Sequence, residues 1–402
     1  MKLTIYRGTN EIGGNCIELE HNTVRILLDF GIPLEVMSFK DVMLQDYKQN
    51  LKEKYDAVFI SHAHPDHYGL IEFIDNKTPI YSSKETCELL KNIAPLTTRF
   101  KTKNLNLKQL KNNIKIGEFD IVPHNIDHSI VGSYAFEIRC CDKTILYTGD
   151  IRFHGRCAYK NSALIRKIGK VDYLIMEGTT ISREKTKRVS EDDLVALFIK
   201  EFEKVKLSLI QVSSQNLDRF ISIYKACLSA KKILVIDAYT CFLLELYGKH
   251  NKNIPQYYWN NIRVFRDENS ITKELDKKGK LSNYLKKEIL IEEIISDFHK
   301  YVVKGNFYIN RILLNKIPKE NLNIIYSMWK GYLKNTDYLN YFADEIKHIH
   351  TSGHATVDDL QTFVNTIKPK AIIPIHTECK TKYEELFNAK IINIEDGMTI
   401  EL

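Results

Sequence analysis

No two cysteines in this sequence are spaced as CxxC, glycine and proline are sparse, and no long apolar run occurs. The eight Cys are scattered at 16, 87, 140, 141, 157, 227, 241 and 379. In a chain of 402 residues that pattern excludes a small disulfide scaffold, and reduced thiols in a cytoplasm are expected. Only 17 Gly and 9 Pro, with 44% hydrophobic and 27% charged residues, exclude collagen-like, low-complexity and wholly disordered classes. No stretch approaches the ~18 apolar residues of a membrane helix, so no membrane association is expected. Met1–Gly8 alternates like a strand and lacks the apolar centre of a secretory signal. What remains is a globular chain long enough for roughly two or three domains.

The net charge of +7 is unevenly placed. Residues 1–180 carry 24 basic and 22 acidic side chains, residues 181–345 carry 28 and 21, and residues 346–402 carry 6 and 8. A basic middle facing a catalytic cleft would attract a polyanion, whereas a Lys-rich solvated surface would give the same count.

The first 180 residues read as strands with turn punctuation, among them Thr23–Asp29, Tyr55–Ile60, Gly132–Ile138, Lys143–Thr148 and Val171–Met176. Near residue 181 the character changes. Ser190 caps a helix with Asp193 at its third position, and Leu194, Leu197, Phe198, Phe202 and Val205 are expected on one face. A strand at Leu207–Val212, a helix near 217–229 and a strand at Lys232–Ile236 suggest a parallel α/β unit. Residues 270–345 read as mostly helical and Lys-rich. Thr356 with Asp359 opens a further helix, and Ala371–Ile375 reads as a buried strand.

The strongest chemical signal is Ser61-His62-Ala63-His64-Pro65-Asp66-His67, with three His and one Asp in six positions directly after a strand. Imidazole and carboxylate suit zinc and its neighbours. His62 and His64, two apart on extended chain, point the same way and can chelate one ion; Asp66 and His67 then turn toward a second. Ions ~3.5–4 Å apart can share a hydroxide and clamp a phosphoryl group. A solvent-exposed His-rich loop is the bland alternative. It is weakened by His128, Asp150, Glu177 and His376, of which the last three follow apolar strands as His62 does. If those strands share a sheet, their ends converge on one rim. His128 alone would read as an ordinary histidine.

His62–His67 resembles the HxHxDH signature of the metallo-β-lactamase superfamily, and His128 and Thr148-Gly149-Asp150 match its later metal motifs. Within it the chain is similar to the β-CASP nucleases of the ribonuclease J-like type. Met176-Glu177-Gly178-Thr179, His350-Thr351-Ser352-Gly353-His354-Ala355 and Pro374-Ile375-His376-Thr377-Glu378 match three further motifs, and Asn10–Asn15 resembles the family's N-terminal turn. The likeness spans about residues 1–240 and 345–400.

The resemblance implies a mixed α/β fold: an αββα metallo-β-lactamase sandwich made of residues 1–180 and 346–402, with an inserted β-CASP α/β domain at 181–345 forming the other wall of an RNA groove. It implies two zinc ions, with manganese as the alternative. His62, His64 and His128 would hold one, Asp66, His67 and His376 the other, with Asp150 bridging and a hydroxide between them attacking phosphorus. Asp66, Glu177 and His354 are the implied catalytic set, Glu177 and His354 pairing near the leaving oxygen. His350, Ser352, Gly353 and His354 would contact substrate phosphate, helped by the helix that Thr356 begins.

The implied activity is metal-dependent hydrolysis of single-stranded RNA, exo or endo, in the cytoplasm, by a chain that could form homo-oligomers. Ribonuclease J proper continues into a further C-terminal domain, whereas this sequence ends at Leu402 soon after the third motif, so assembly and RNA-path expectations do not carry over. His376 is typical of RNA-acting members, DNA-acting ones commonly having Val there. The alternatives are a DNA nuclease, a lactonase- or glyoxalase-type hydrolase of small molecules, and a nucleic-acid-binding protein with a residual metal site. His124, His154 and the Cys140–Cys141 pair stay outside this scheme, the last read as strand packing because vicinal Cys bridge poorly.

Overall fold

Alternating apolar residues make the opening of the chain a run of half-buried strands. In a computed structural model describing residues 1–34, 54–93, 95–96, 105–183, 188–335 and 346–402, these are β1 (Lys2–Arg7), β2 (Cys16–His21), β3 (Val24–Phe30), β4 (Ala57–Phe59), β5 (Ile80–Ser82) and β6 (Leu107–Gln109). There follow β7 (Ile114–Ile116), β8 (Phe119–Asn125), β9 (Tyr134–Cys140), β10 (Lys143–Tyr147) and β11 (Tyr173–Glu177). Six strands, β12 (Leu207–Gln211), β13 (Ile233–Asp237), β14 (Ile262–Phe265), β15 (Tyr301–Lys304), β16 (Leu322–Tyr326) and β17 (Lys347–His348), form the middle. The chain ends with β18 (Ala371–Ile375), β19 (Lys390–Ile391) and β20 (Thr399–Glu401).

Two compact units result, one from Met1–Lys187 with Gly353–Leu402, the other from Arg188–Ser352. The first holds two seven-stranded sheets, ordered β20-β1-β2-β3-β4-β5-β6 and β19-β18-β11-β10-β9-β8-β7. Their inner faces meet in one core. Leu3, Ile5, Ile17, Leu19, Ile26, Leu28 and Phe59 from one sheet pack against Phe136, Ile138, Ile145, Tyr147, Ile175 and Ile373 from the other. The two-residue spacing within each strand is what puts these side chains on one face, and each buried Leu, Ile or Phe contributes ~1.5–3 kcal/mol. The outer face of the second sheet carries Leu146, Leu174, Met176 and Ile372 against Leu164 and against Leu360, Phe363 and Val364, on helices Tyr159–Lys167 and Val357–Ile367. The mixed α/β sandwich implied by the resemblance is observed. Among the described residues no helix is long and apolar enough to cross a membrane.

The second unit is one parallel sheet ordered β14-β13-β15-β12-β16-β17. Two expectations need completing here. The described part of residues 270–345 is largely helical, as expected, but β15 and β16 also lie in that stretch, and β15 pairs with both β12 and β13. Four or five apolar residues buried on both faces carry no period to read. Residues 336–345 of the same stretch lie outside the described residues. Helix Glu191–Phe202, closed by the Ser190–Asp193 capping box, buries Leu194, Phe198 and Phe202, while Leu197 is exposed and Val205, also exposed, falls past the helix end. The i, i+4 row faces the sheet, and the i+3 position turns off its edge.

Candidate metal centre

The His62–His67 loop is set by the strand before it. β4 leaves the first sheet at Ile60, where the buried Asp29 carboxylate accepts from Ser61 N and from Ser61 Oγ, each at 2.7 Å. The next residues stay extended, bringing His62 Nε2 to 3.0 Å from His64 Nδ1. Pro65 then opens the short helix Pro65–Tyr68, which swings Asp66 and His67 aside. Gly31 permits this, because a Cβ there would lie 1.6 Å from the Asp66 carbonyl oxygen.

The remaining residues come from the second sheet. β11 runs parallel between β10 and β18, with Tyr147 opposite Ile175 and Glu177 opposite Ile375. That register brings Asp150, Glu177 and His376 to one end of the sheet, and His128 follows β8 nearby. The expectation of a single sheet rim is therefore corrected: His62–His67 extends β4 of the other sheet, and the rims of two stacked sheets supply the cluster. Apolar strands look alike in sequence whichever sheet they join.

Two donor groups result, His62, His64, His128 and Asp150 in one and Asp66, His67, Asp150 and His376 in the other, each with one ligand atom per residue within 4.8 Å of the rest. Asp150 stands between them. Its Oδ2 lies 3.6 Å from both His62 Nε2 and His128 Nε2, and its Oδ1 lies 3.2 Å from His67 Nε2 and 3.7 Å from His376 Nε2. His376 Nε2 is also 3.2 Å from Asp66 Oδ2.

The far nitrogen of four imidazoles is engaged by a neighbour. His62 Nδ1 meets Ser61 Oγ at 3.0 Å, His67 Nδ1 meets Asp29 Oδ2 at 2.7 Å, His128 Nδ1 meets the Gly353 carbonyl at 2.7 Å and His376 Nδ1 meets Thr179 Oγ1 at 2.8 Å. Such contacts fix the ring and leave Nε2 aimed inward. The donor set fits a pair of cations. His67 Nε2 and Asp150 Oδ1 are buried and face each other without a hydrogen bond, a costly arrangement unless an ion lies between the groups.

Burial pushes His62 and His128 well below the ordinary histidine range and His64 down to about 4, so that group presents neutral, ligating imidazoles. Burial acts the same way on His67 and His376, but Asp150 and Asp66 outweigh it and hold both above the ordinary range. Burial alone would raise Asp150; His376, His67 and His354 keep it well below the carboxylate range.

Glu177 and His354 meet beside the cluster, His354 Nδ1 lying 2.9 Å from Oε2 and 3.0 Å from Oε1. Glu177 also accepts from Ile151 N at 2.9 Å, which fixes its carboxylate. His354, Glu177 and His376 form a third set with ligand-capable atoms within 4.8 Å. Gly353 lies with the cluster through its carbonyl, whereas His350 and Ser352 belong to the second unit. There His350 Nδ1 is 3.2 Å from Arg219 Nη1, and Arg219 also donates to the Thr351 carbonyl at 3.0 Å. His124 lies on β8 and pairs with Glu137 at 2.8 Å, and His154 is buried 3.9 Å from Asp359; neither belongs to a donor group. Sequence reasoning passed over Asp29 and Arg219. The signal for Asp29 was available: an acid closing an apolar strand, Leu27-Leu28-Asp29.

Comparison with known proteins fits this geometry. Residues 25–205 match the family described as "Beta-lactamase superfamily domain", and residues 343–394 match the "Zn-dependent metallo-hydrolase RNA specificity domain". Ribonuclease J of Helicobacter pylori (strain ATCC 700392 / 26695) is 24% identical over 94% of this chain and 56% of its own length. Ribonuclease J2 of Bacillus subtilis (strain 168) is 23% identical over 92% of the chain and 68% of its own length. The chain thus spans little more than half of the Helicobacter relative. A crystal structure of a protein of unknown function from Enterococcus faecalis V583 shares the fold, with a TM-score of 0.79 and 24% identity, covering 100% of this chain and 99% of the other. With this sandwich, these matches make the chain similar to the metallo-β-lactamase superfamily in its ribonuclease J-like β-CASP branch.

Proposed function

We propose that this chain is a metal-dependent phosphodiesterase that hydrolyses single-stranded RNA. The observation that carries the proposal is Asp150, buried with one oxygen toward each of two His-rich donor groups. His62, His64 and His128 would hold one ion and Asp66, His67 and His376 another, with Asp150 serving both. Zinc held there would supply charge neutralisation for the phosphate and an activated water. The other half of the reaction belongs to side chains. When the P–O bond to the leaving group breaks, that oxygen needs a proton, and His354 gives it from Nε2. The donor is the doubly protonated ring: Glu177 accepts from Nδ1–H and holds the ring with Nε2–H turned away from it, and the ring keeps the Nδ1 proton when the Nε2 proton is given.

RNA is favoured over other phosphodiesters on three grounds. The Helicobacter and Bacillus relatives are named as ribonucleases, residues 343–394 match an RNA specificity domain, and the excess positive charge lies in residues 181–345. We assign residues 1–180 and 346–402 to the metallo-β-lactamase domain, residues 181–345 to the β-CASP domain, and His350, Ser352, Gly353 and His354 to phosphate contact.

The test is incubation of the protein, with zinc or with manganese, with end-labelled single-stranded RNA and DNA. RNA should be cleaved, Asp150→Asn should abolish cleavage, and binding by that inactive variant should weaken steeply as salt rises. Turnover of a lactone or thioester with no RNA cleavage under either metal would replace this reading with a small-molecule hydrolase.

A further inference from the structure

Two hairpin turns of the first unit, β2–β3 and β9–β10, bring together His21, Cys140 and Cys141 at one edge of the sandwich. His21 ends β2 in the first sheet, and Cys140 ends β9 in the second. Cys141 Sγ lies 3.4 Å from Cys140 Sγ, 3.4 Å from His21 Nδ1 and 3.2 Å from His21 Nε2. One donor atom from each of the three residues falls within 4.8 Å of the others. We propose that these residues form a second metal site, for a thiophilic ion of the zinc type, that ties the two sheets together at this edge.

The site is distinct from the Asp150 cluster. β3 and β10 both start at this edge, at Val24 and Lys143, and run to the opposite one, where Asp29 and Asp150 stand. Five residues of β10 separate the two edges by roughly 16 Å. The donor chemistry differs as well, since the Asp150 cluster has no sulfur.

The surroundings suit an ion. Glu118, in the turn between β7 and β8, places Oε2 3.4 Å from His21 Nε2, and Asn22 Nδ2 donates to Glu118 Oε1 at 3.0 Å. Asn22 Nδ2 also lies 3.1 Å from His21 Nε2, so the ring is held from its Nε2 side beside Cys141. Two sulfurs and one imidazole make three ligands, and Cys141 is exposed, so water can complete a tetrahedron. The sequence also accepts a conformational cost here. Cys141 and Asp142 occupy the two central positions of a two-residue hairpin at φ 52° and 57°, where Asn-Gly is the favoured pair.

The Cys140 thiol does not ionise by itself. Burial and the adjacent Cys141 push the Cys140 thiol up to about 12. Each sulfur therefore loses its proton to solvent as its bond to the ion forms, and uptake releases two protons per ion and strengthens as pH rises.

The test uses cobalt(II) as a probe, added to the whole, reduced protein. Absorption from thiolate-to-cobalt charge transfer cannot come from the Asp150 cluster, its loss in Cys140 and Cys141 variants distinguishes this site from the other free thiols, and it is read whether or not the protein cleaves RNA. Wild type should show one thiolate-bound ion per chain. Cys140→Ser and Cys141→Asn should each remove the absorption and lower the bound metal by one ion, with RNA cleavage unchanged. Cys141→Asn keeps a residue suited to positive φ, so the hairpin is retained and its loss of signal cannot be blamed on unfolding. His21→Ala should weaken cobalt binding at the same absorption. No thiolate absorption in fully loaded wild type, or absorption that survives in Cys141→Asn, overturns the proposal.

Discussion

Both units end parallel strands on buried charged groups, and they neutralise them differently. In the second unit, Asp237 at the end of β13 meets Lys304 Nζ at 3.0 Å and caps a helix through Thr240 N at 2.8 Å. Asp267 accepts from Thr272 Oγ1 and from Asn306 Nδ2. Arg219, fully buried, spends its guanidinium on Glu191, Ser327 and Thr351. Each carboxylate there finds its cation or its donors within the fold. The donor groups of the first unit hold only imidazoles and carboxylates, and two of their buried atoms make no hydrogen bond. Burying charge is costly unless it is paired. A cluster that the chain leaves open is one that an outside cation completes, whereas a cluster that closes on itself supports structure.

That contrast breaks most visibly at Asp150. Asp150→Asn removes the one carboxylate facing both donor groups. Elemental analysis should find about two ions per wild-type chain and clearly fewer in the variant, with RNA cleavage reduced to background while the fold persists. A single ion in fully active wild-type protein would contradict the two-group assignment.

The next largest effect decides whether His354 belongs to the open cluster or works beside it. His354→Ala should keep both metals and RNA affinity and lose roughly 10²–10⁴-fold in turnover, the range of general acid–base catalysis. Glu177→Gln should fall in the same direction but less far, and RNA analogues with a better leaving group should be affected less by either change. If the loss in His354→Ala is matched by loss of metal, His354 is a ligand, as its place near His376 allows.

The self-closed cluster gives the opposite signature, with stability changing instead of metal content. Lys304→Met strands Asp237 and should cost about 3–5 kcal/mol, read as earlier thermal unfolding of the second unit. Burial alone would raise the Asp237 carboxyl, but Lys304 and Thr240 hold it below the ordinary range. A carboxyl lowered in the folded state stabilises fully above its unfolded value of about 4 and loses that contribution as pH falls through the native value. The gap between wild type and Lys304→Met should therefore be widest at neutral pH and close toward pH 3.

What the sequence made legible follows the reach of each interaction. His62, His64, Asp66 and His67 sit within one short segment, so their spacing alone announced the donor groups that the fold brings together. Asp150, Glu177 and His376 were legible because each sits at an apolar strand's end, although which sheet supplied which strand was not. The helices closed by Ser190–Asp193 and Thr356–Asp359 were readable because a capping box is a four-residue signal. β15 and β16 were lost because short strands buried on both faces show no alternation. His350 and His354, four residues apart, read as one phosphate-binding motif, yet they fall in different units. Asp29 was passed over because its partners lie 32, 38 and 118 residues further along the chain.

Asp29 supplies the smallest and sharpest test. It is fully buried at φ 56°, a conformation that a non-glycine residue adopts at some cost, and it accepts from Ser61 N, Ser61 Oγ and Tyr147 Oη while meeting His67 Nδ1. Through His67 it fixes one ring of the second donor group, and through Ser61 it pins the start of the loop that carries the first. It touches none of the proposed ion positions, so it acts only by orientation. Asp29→Asn keeps size and tolerance of positive φ but weakens the acceptor facing His67. The expected result is a ~10–100-fold loss of metal affinity, the range for a residue that orients a ligand, concentrated in the second ion to bind. Cleavage at saturating metal should recover most of its wild-type rate, because no ligand and no proton donor has been removed. The readout is a metal titration followed by activity, not activity alone. If the variant binds both ions as tightly as wild type, the Asp29–His67 contact is structural in the same sense as Asp237–Lys304, and the line between the two kinds of cluster moves inward to the ligands themselves.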